Sequence, residues 1–125
     1  MPHRPVILIV DDDSSMRELL ETMVSLDGGF RIGGVAADGL EGAMLAADVN
    51  PDVVILDFFM PRWDGEKAAA FIRENCPRCT IVGFSAVLTE KPEWADEFLL
   101  KNDIERLMGL LHELTEAPEP TGQEA

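Results

Sequence analysis

Val53-Val54-Ile55-Leu56-Asp57 decides the fold. Four aliphatic residues run without polar alternation and end on a carboxylate, the pattern of a strand buried on both faces. Such a strand needs a layer on each side, and the sequence around it supplies them. Upstream lie Val6-Ile7-Leu8-Ile9-Val10 and Phe30–Ala36; downstream lie Thr80–Phe84 and Phe98–Leu100. Between these runs the apolar spacing becomes helical. Met16, Leu19, Leu20, Met23 and Val24 form one stripe after Ser15, which with Glu18 has the composition of a capping box. Leu40, Ala43, Met44 and Ala47 follow Asp38. Ala68, Phe71 and Ile72 follow Asp64. Ile104, Leu107, Met108, Leu111 and Leu114 follow Asn102, a favoured N-cap type. Strands alternating with helices predict βαβ units: an α/β fold with a parallel sheet and right-handed crossovers.

The last crossover breaks this rhythm. Only 15 residues, 86–100, separate Ser85 from Lys101, and they must hold a loop, any helix and the final strand. Pro92 falls inside the one candidate helix, Thr89–Asp96, where it is tolerated only in a first turn. That helix is expected to be one or two turns long or missing.

The chain has 125 residues, the length of one domain. Residues 1–114 are expected to form it. Residues 115–125, with Pro118, Pro120, Gly122 and three Glu, read as a disordered acidic tail. A net charge of −14 argues against nucleic acid, which is bound by clustered Lys and Arg, and against an anionic membrane surface. The longest early apolar run, Val6–Val10, is too short for a membrane span or a signal-peptide core. Two cysteines, Cys76 and Cys79, do not make a disulfide framework. The expectation is a soluble cytoplasmic protein.

In open parallel sheets, ligands bind beyond the carboxyl ends of the strands. The first strand ends in Asp11-Asp12-Asp13, the third in Asp57, the fourth in Ser85 and the fifth in Lys101. Carboxylates, one hydroxyl and one ammonium would therefore meet at one edge. Clustered carboxylates repel and raise one another's pKa, and a hard cation such as Mg²⁺ relieves that repulsion. Lys101 and Ser85 can hold phosphoryl oxygens, and one carboxylate can act as nucleophile. The set reads as phosphoryl transfer.

Each residue also has a plainer reading. Asp11-Asp12-Asp13 could be only the acidic start of a helix, and Asp13 is left as a cap. Phe98 reads more readily as core than as a moving part. Cys76-Pro77-Arg78-Cys79 lies between a helix end and a strand start, the wrong place for a redox CxxC, and no second ligand pair exists for zinc. It reads as two near-surface thiols. Trp63 and Trp94 fall in loops near the strand ends, as surface or recognition residues.

The chain resembles the receiver domain of bacterial two-component response regulators, of the chemotaxis-regulator type, over about residues 5–114. The resemblance rests on Ile7-Leu8-Ile9-Val10-Asp11-Asp12, on Asp57 followed by Met60-Pro61 and Asp64-Gly65, on Ser85-Ala86, and on Lys101. It implies a doubly wound, flavodoxin-like sheet of five parallel strands in the order 2-1-3-4-5. Asp57 would be the phosphoacceptor. Asp12 would ligate Mg²⁺ (or Mn²⁺) directly and Asp11 through water, with Asp57 and the backbone carbonyl of Phe59 completing the site. Ser85 would bind a phosphoryl oxygen, Lys101 would bind phosphate, and Ser85 and Phe98 would be the switch residues. The phosphoryl group would come from a sensor histidine kinase or a phosphotransfer protein and be hydrolysed by the domain itself; the apolar Phe59 and Val87, two residues past Asp57 and Ser85, predict that this self-dephosphorylation is slow. The downstream partner would be another protein, and homodimerisation is compatible.

Three departures stand out. Asn102 replaces the Pro that often follows the lysine, which with Asp38-Gly39 looks more like the nitrate-response class of receivers. The short last crossover alters the face such domains use for output. No effector segment follows residue 114, so a stand-alone module is expected. Two other readings compete: a pseudo-receiver that binds proteins without phosphate, and a small phosphatase of the haloacid-dehalogenase type built on Asp11 and Asp13, in which Asp57 would have no role.

Overall fold

The computed structural model describes residues 4–115. The acidic tail therefore lies outside the described residues, except that Thr115 closes the last helix and donates its hydroxyl to the Leu111 carbonyl at 2.7 Å. The strands are β1 (Val6–Val10), β2 (Arg31–Ala36), β3 (Val53–Leu56), β4 (Thr80–Ser85) and β5 (Glu97–Leu100). The helices are α1 (Ser14–Asp27), α2 (Gly39–Val49), α3 (Gly65–Asn75) and α4 (Leu107–Thr115), with a 3₁₀ helix over Lys101–Arg106. All strand pairs are parallel, in the order β2-β1-β3-β4-β5. This is the doubly wound, flavodoxin-like sheet the sequence predicts. No helix among the described residues is long and apolar enough to cross a membrane.

β3 sits at the centre of the sheet, and every one of its residues is buried. Its alternate side chains feed two half-cores. Leu8, Val10, Val54, Leu56 and Ile81 pack against Ala43 and Ala46 of α2 and Ala68, Ala69 and Ile72 of α3. Ile7, Ile9, Val53, Ile55, Val82, Phe84 and Leu99 pack against Leu20 and Val24 of α1 and Leu107 and Leu111 of α4.

Three local expectations are corrected. Ser15 is not the cap of α1; Asp13, the other residue read as a cap, is: its carboxylate accepts from the Ser15 N–H at 3.0 Å, because the helix begins directly at the strand-end turn. Asn102 does not cap the last helix. It lies inside the 3₁₀ turn, which Asp103 (φ −104°, ψ 29°) kinks before α4 begins at Leu107. Met44 is exposed rather than core, because α2 approaches the sheet on Gly39, Gly42, Ala43 and Ala46. A Cβ at Gly42 would come 2.6 Å from Val10 Cγ1, so that approach requires glycine.

The crossover 86–96 contains no helix, the second of the two outcomes its length and Pro92 allow. It is fastened by its far end. Asp96 pairs with Ile81 through backbone and side chain at 2.8 Å each, and Arg73 of α3 contacts Asp96 at 2.9 Å and the Trp94 carbonyl at 3.1 Å. Trp94 and Ala95 fill the space over Gly83, where a Cβ would meet both side chains and Phe98 at 3.2–3.4 Å. Trp94 is thus half-buried packing against the α2/α3 half-core, not a surface residue. Trp63 likewise packs on Phe71, with ring centroids 5.6 Å apart.

Candidate functional site

The ladder that pairs the strands continues one step past them. Asp11 N–H donates to the Ala36 carbonyl at 3.1 Å, and Asp57 N–H donates to the Val10 carbonyl at 3.0 Å. Those two bonds fix both aspartates at the carboxyl edge of the sheet. Asp11 is 1% exposed and Asp57 6%, whereas Asp12 is exposed. One carboxylate oxygen from each of Asp11, Asp12 and Asp57 lies within 4.8 Å of the others.

Lys101 completes the cluster from the end of β5. Its Nζ is 2.8 Å from Asp11 Oδ2 and 3.5 Å from Asp57 Oδ2. Burial disfavours its charge, but the contact with Asp11 and the charges of Asp57 and Asp11 outweigh this and leave its pKa raised. Lys101 therefore stays an ammonium, committed first to Asp11. Asp57 is left short of compensation. Burial, and next the Asp11 charge, push its carboxyl up to about 6, against the weaker pull of Lys101 and the Phe58 N–H, which donates to Asp57 Oδ1 at 2.9 Å.

These residues fit a hard cation. Asp11 Oδ1 accepts from the Asp13 N–H at 2.9 Å, while Oδ2 is buried and meets Lys101 as an ion pair without an aligned hydrogen bond. A buried anionic oxygen with lone pairs to spare, beside two further carboxylates, is the oxygen-only donor set that Mg²⁺ takes. Phe59, whose carbonyl the resemblance gives to the metal, is 57% exposed, with its ring edge-on to Phe58 at 4.4 Å.

Ser85 is buried at the end of β4, where the sequence places it. Its Oγ accepts from the Val87 and Leu88 N–H groups at 3.1 and 3.2 Å, so the hydroxyl caps the start of the crossover and keeps its own proton to donate. Val87 is 60% exposed. Phe98 faces Gly83 across β4–β5 and is half-buried. The CxxC reading is corrected: Cys76 and Cys79 are buried free thiols, and Cys76 Sγ donates to Asn50 Oδ1 at 3.0 Å.

Sequence reasoning missed the clamp on the loop after β3. Arg62, at φ 68°, donates through Nε and Nη2 to Asp38 Oδ2 at 3.1 and 2.9 Å. Asp38 is held below the usual carboxylate range by the Glu41 N–H and then by Arg62. A Cβ at Gly39 would collide with the Trp63 carbonyl, so the loop sits on the start of α2. No local pattern marks Arg62; the contact spans 24 residues. Asp57 stands inside the carboxylate cluster, together with Asp11 and Asp12.

A protein-glutamate methylesterase/protein-glutamine glutaminase of Geobacter metallireducens is 44% identical over 71 residues, 57% of this chain and 20% of its own length. The nitrate/nitrite response regulator protein NarL of Escherichia coli is 32% identical over 114 residues, 86% of this chain and 53% of its own. The chain thus spans between a fifth and about half of these relatives. The response regulator domain of Thermotoga maritima CheB superposes with a TM-score of 0.80 at 24% identity, covering 92% of this chain and 96% of that domain. The family model for the response regulator receiver domain matches residues 7–109, and with five parallel strands delivering three aspartates and a lysine to one edge, the chain belongs to that family.

Proposed function

We propose that this receiver domain accepts a phosphoryl group on Asp57 from a sensor histidine kinase or phosphotransfer protein in the cytoplasm, and signals by contact with another protein. The observation that carries the reading is the meeting of Asp11, Asp12 and Asp57 with Lys101 at the carboxyl edge of the sheet. Asp57 is the nucleophile. Its Oδ2 pairs with Lys101 at 3.5 Å, while Oδ1 is held by the Phe58 N–H. The oxygen attacks phosphorus, an O–P bond forms, and the P–N bond to the donor histidine breaks with its electron pair returning to the imidazole. Lys101 moves little to contact the phosphoryl oxygens, because its ammonium already lies between Asp11 and Asp57. Ser85 donates its remaining proton to the phosphoryl group.

Asp11, Asp12, Asp57 and the Phe59 carbonyl would hold Mg²⁺ (or Mn²⁺). When bound, the ion neutralises charge on the phosphoryl oxygens and on the aspartates. Without the ion, the charges of Asp11 and Asp12 act on Asp57 by repulsion, and the Phe58 N–H on Oδ1 orients the carboxylate.

Incubation with acetyl phosphate and Mg²⁺, followed by intact mass and peptide mapping, tests this. The expected result is one phosphoryl adduct at Asp57, absent without divalent cation and absent in Asp57→Asn. The helix-free crossover supports a second reading, a phosphorylation-independent binding module. A protein that never takes up the adduct decides for it.

A further inference from the structure

The crossover that lost its helix is joined to the phosphoacceptor by one side chain. The indole of Trp94 stacks on Phe58 with centroids 5.9 Å apart and planes 12° from parallel. Phe58 is the residue whose N–H holds Asp57 Oδ1 at 2.9 Å. The indole also borders the space at Gly65 that the Asp57–Phe58 peptide lines from another side. A Cβ on Gly65 would lie 2.7 Å from the Asp57 carbonyl oxygen, 2.9 Å from Phe58 Cα and 3.1 Å from Trp94 Cη2, so these atoms share one small space that only glycine leaves open. Gly65 N–H in turn donates to the Phe58 carbonyl at 2.7 Å. The near end of the same crossover hangs from Ser85 Oγ through Val87 and Leu88, and its far end is pinned by Arg73 and Asp96.

We propose that Trp94 is a positioning residue: by stacking on Phe58, whose N–H holds the phosphoacceptor carboxylate, and closing over Gly65, it sets that carboxylate and carries its state into the 86–96 crossover. This rests on Asp57 being the phosphoacceptor. A group added to Asp57 alters what the Phe58 N–H and the Ser85 hydroxyl bind, and both are attached to the segment that bears Trp94. The conformational signal then leaves through the crossover even if Phe98 stays still.

The protein has two tryptophans, so Trp63→Phe leaves Trp94 as the only indole. Acetyl phosphate and Mg²⁺ are added to this variant, and emission and intact mass are followed in the same sample. Trp94 emission is expected to change in proportion to the adduct and to remain constant in the Asp57→Asn background. Full adduct with unmoved emission overturns the proposal. No adduct in any variant overturns the phosphoacceptor reading and this proposal with it. In a second arm, Trp94→Leu is expected to slow adduct formation several-fold, and Trp94→Phe, which keeps a ring on Phe58, to restore it to within about twofold. Equal rates in Leu, Phe and wild-type proteins with matching circular dichroism overturn the positioning role. If Trp94→Leu does not fold, the emission arm still decides.

Discussion

Asp57 is held in the fold at a thermodynamic disadvantage. Its pKa is about 6 in the folded, metal-free chain and near 3.9 when unfolded. Between those values the folded state binds a proton that the unfolded state does not. The contribution is fully present below about pH 4 and is lost as pH rises through about 6. Asp57→Asn should therefore stabilise the metal-free protein at pH 7 by about 1–3 kcal/mol and flatten this part of the pH profile. Urea unfolding in chelator from pH 4 to 8 measures it, and equal slopes for the two proteins would contradict it. Phe59 and Val87 stand exposed and apolar two residues beyond Asp57 and Ser85. A polar side chain at 59 would give water a hydrogen-bonding partner beside the site, so Phe59→Asn is expected to lose phosphate several-fold faster once the donor is removed. At this scale the sequence was informative where chemistry sits at a strand end. Asp11, Asp57, Ser85 and Lys101 were all legible, because a run of apolar residues followed by one polar residue marks the edge of a parallel sheet. Arg62 and Trp94 were not, since their partners lie far away in sequence and neither belongs to a periodic pattern.

At the scale of elements, caps and small residues decide where helices begin and how near they lie. Asp13 satisfies the first free N–H of α1, so Asp13→Ala should cost about 1 kcal/mol in thermal or urea unfolding, whereas Ser15→Ala should leave stability nearly unchanged. A reversed order of the two effects would restore Ser15 as the cap. The misreading has a physical origin. Both residues are good caps by composition, and only the position of the strand-end turn chooses between them. The same holds for Met44: the stripe Leu40, Ala43, Met44 and Ala47 outlined a buried face, but α2 lies on Gly39, Gly42, Ala43 and Ala46, which turns Met44 outward. The central strands carried no such ambiguity, since uninterrupted aliphatic runs admit no other face. The missing helix was legible too, from chain length and Pro92, while the indole that fills its place was not.

For the whole molecule, the sheet divides the core into two halves that are unequally built. The α1/α4 half depends on large side chains and closes through His112, whose Nε2 is 3.0 Å from both oxygens of Asp27 and whose ring packs on Phe30 at 4.7 Å. Leu111→Ala, fully buried there, should destabilise by about 2–5 kcal/mol, while Met44→Ala on the opposite surface should change little. Denaturant midpoints compare the two directly. Of the 24 acidic residues behind the −14 charge, three aspartates gather at one edge of the sheet. The other edge of the sheet holds the buried Cys76 and Cys79, and burial followed by the neighbouring Cys76 pushes the Cys79 thiol up to about 12. With Cys76 1% and Cys79 4% exposed, both sulfurs are shielded while the fold stands. An alkylating reagent at neutral pH should then ignore the native protein and record, one molecule at a time, each opening that bares the pair. The two sulfurs give the chain a built-in clock of its own unfolding, and labelling that runs as fast in the native protein as in urea would stop it.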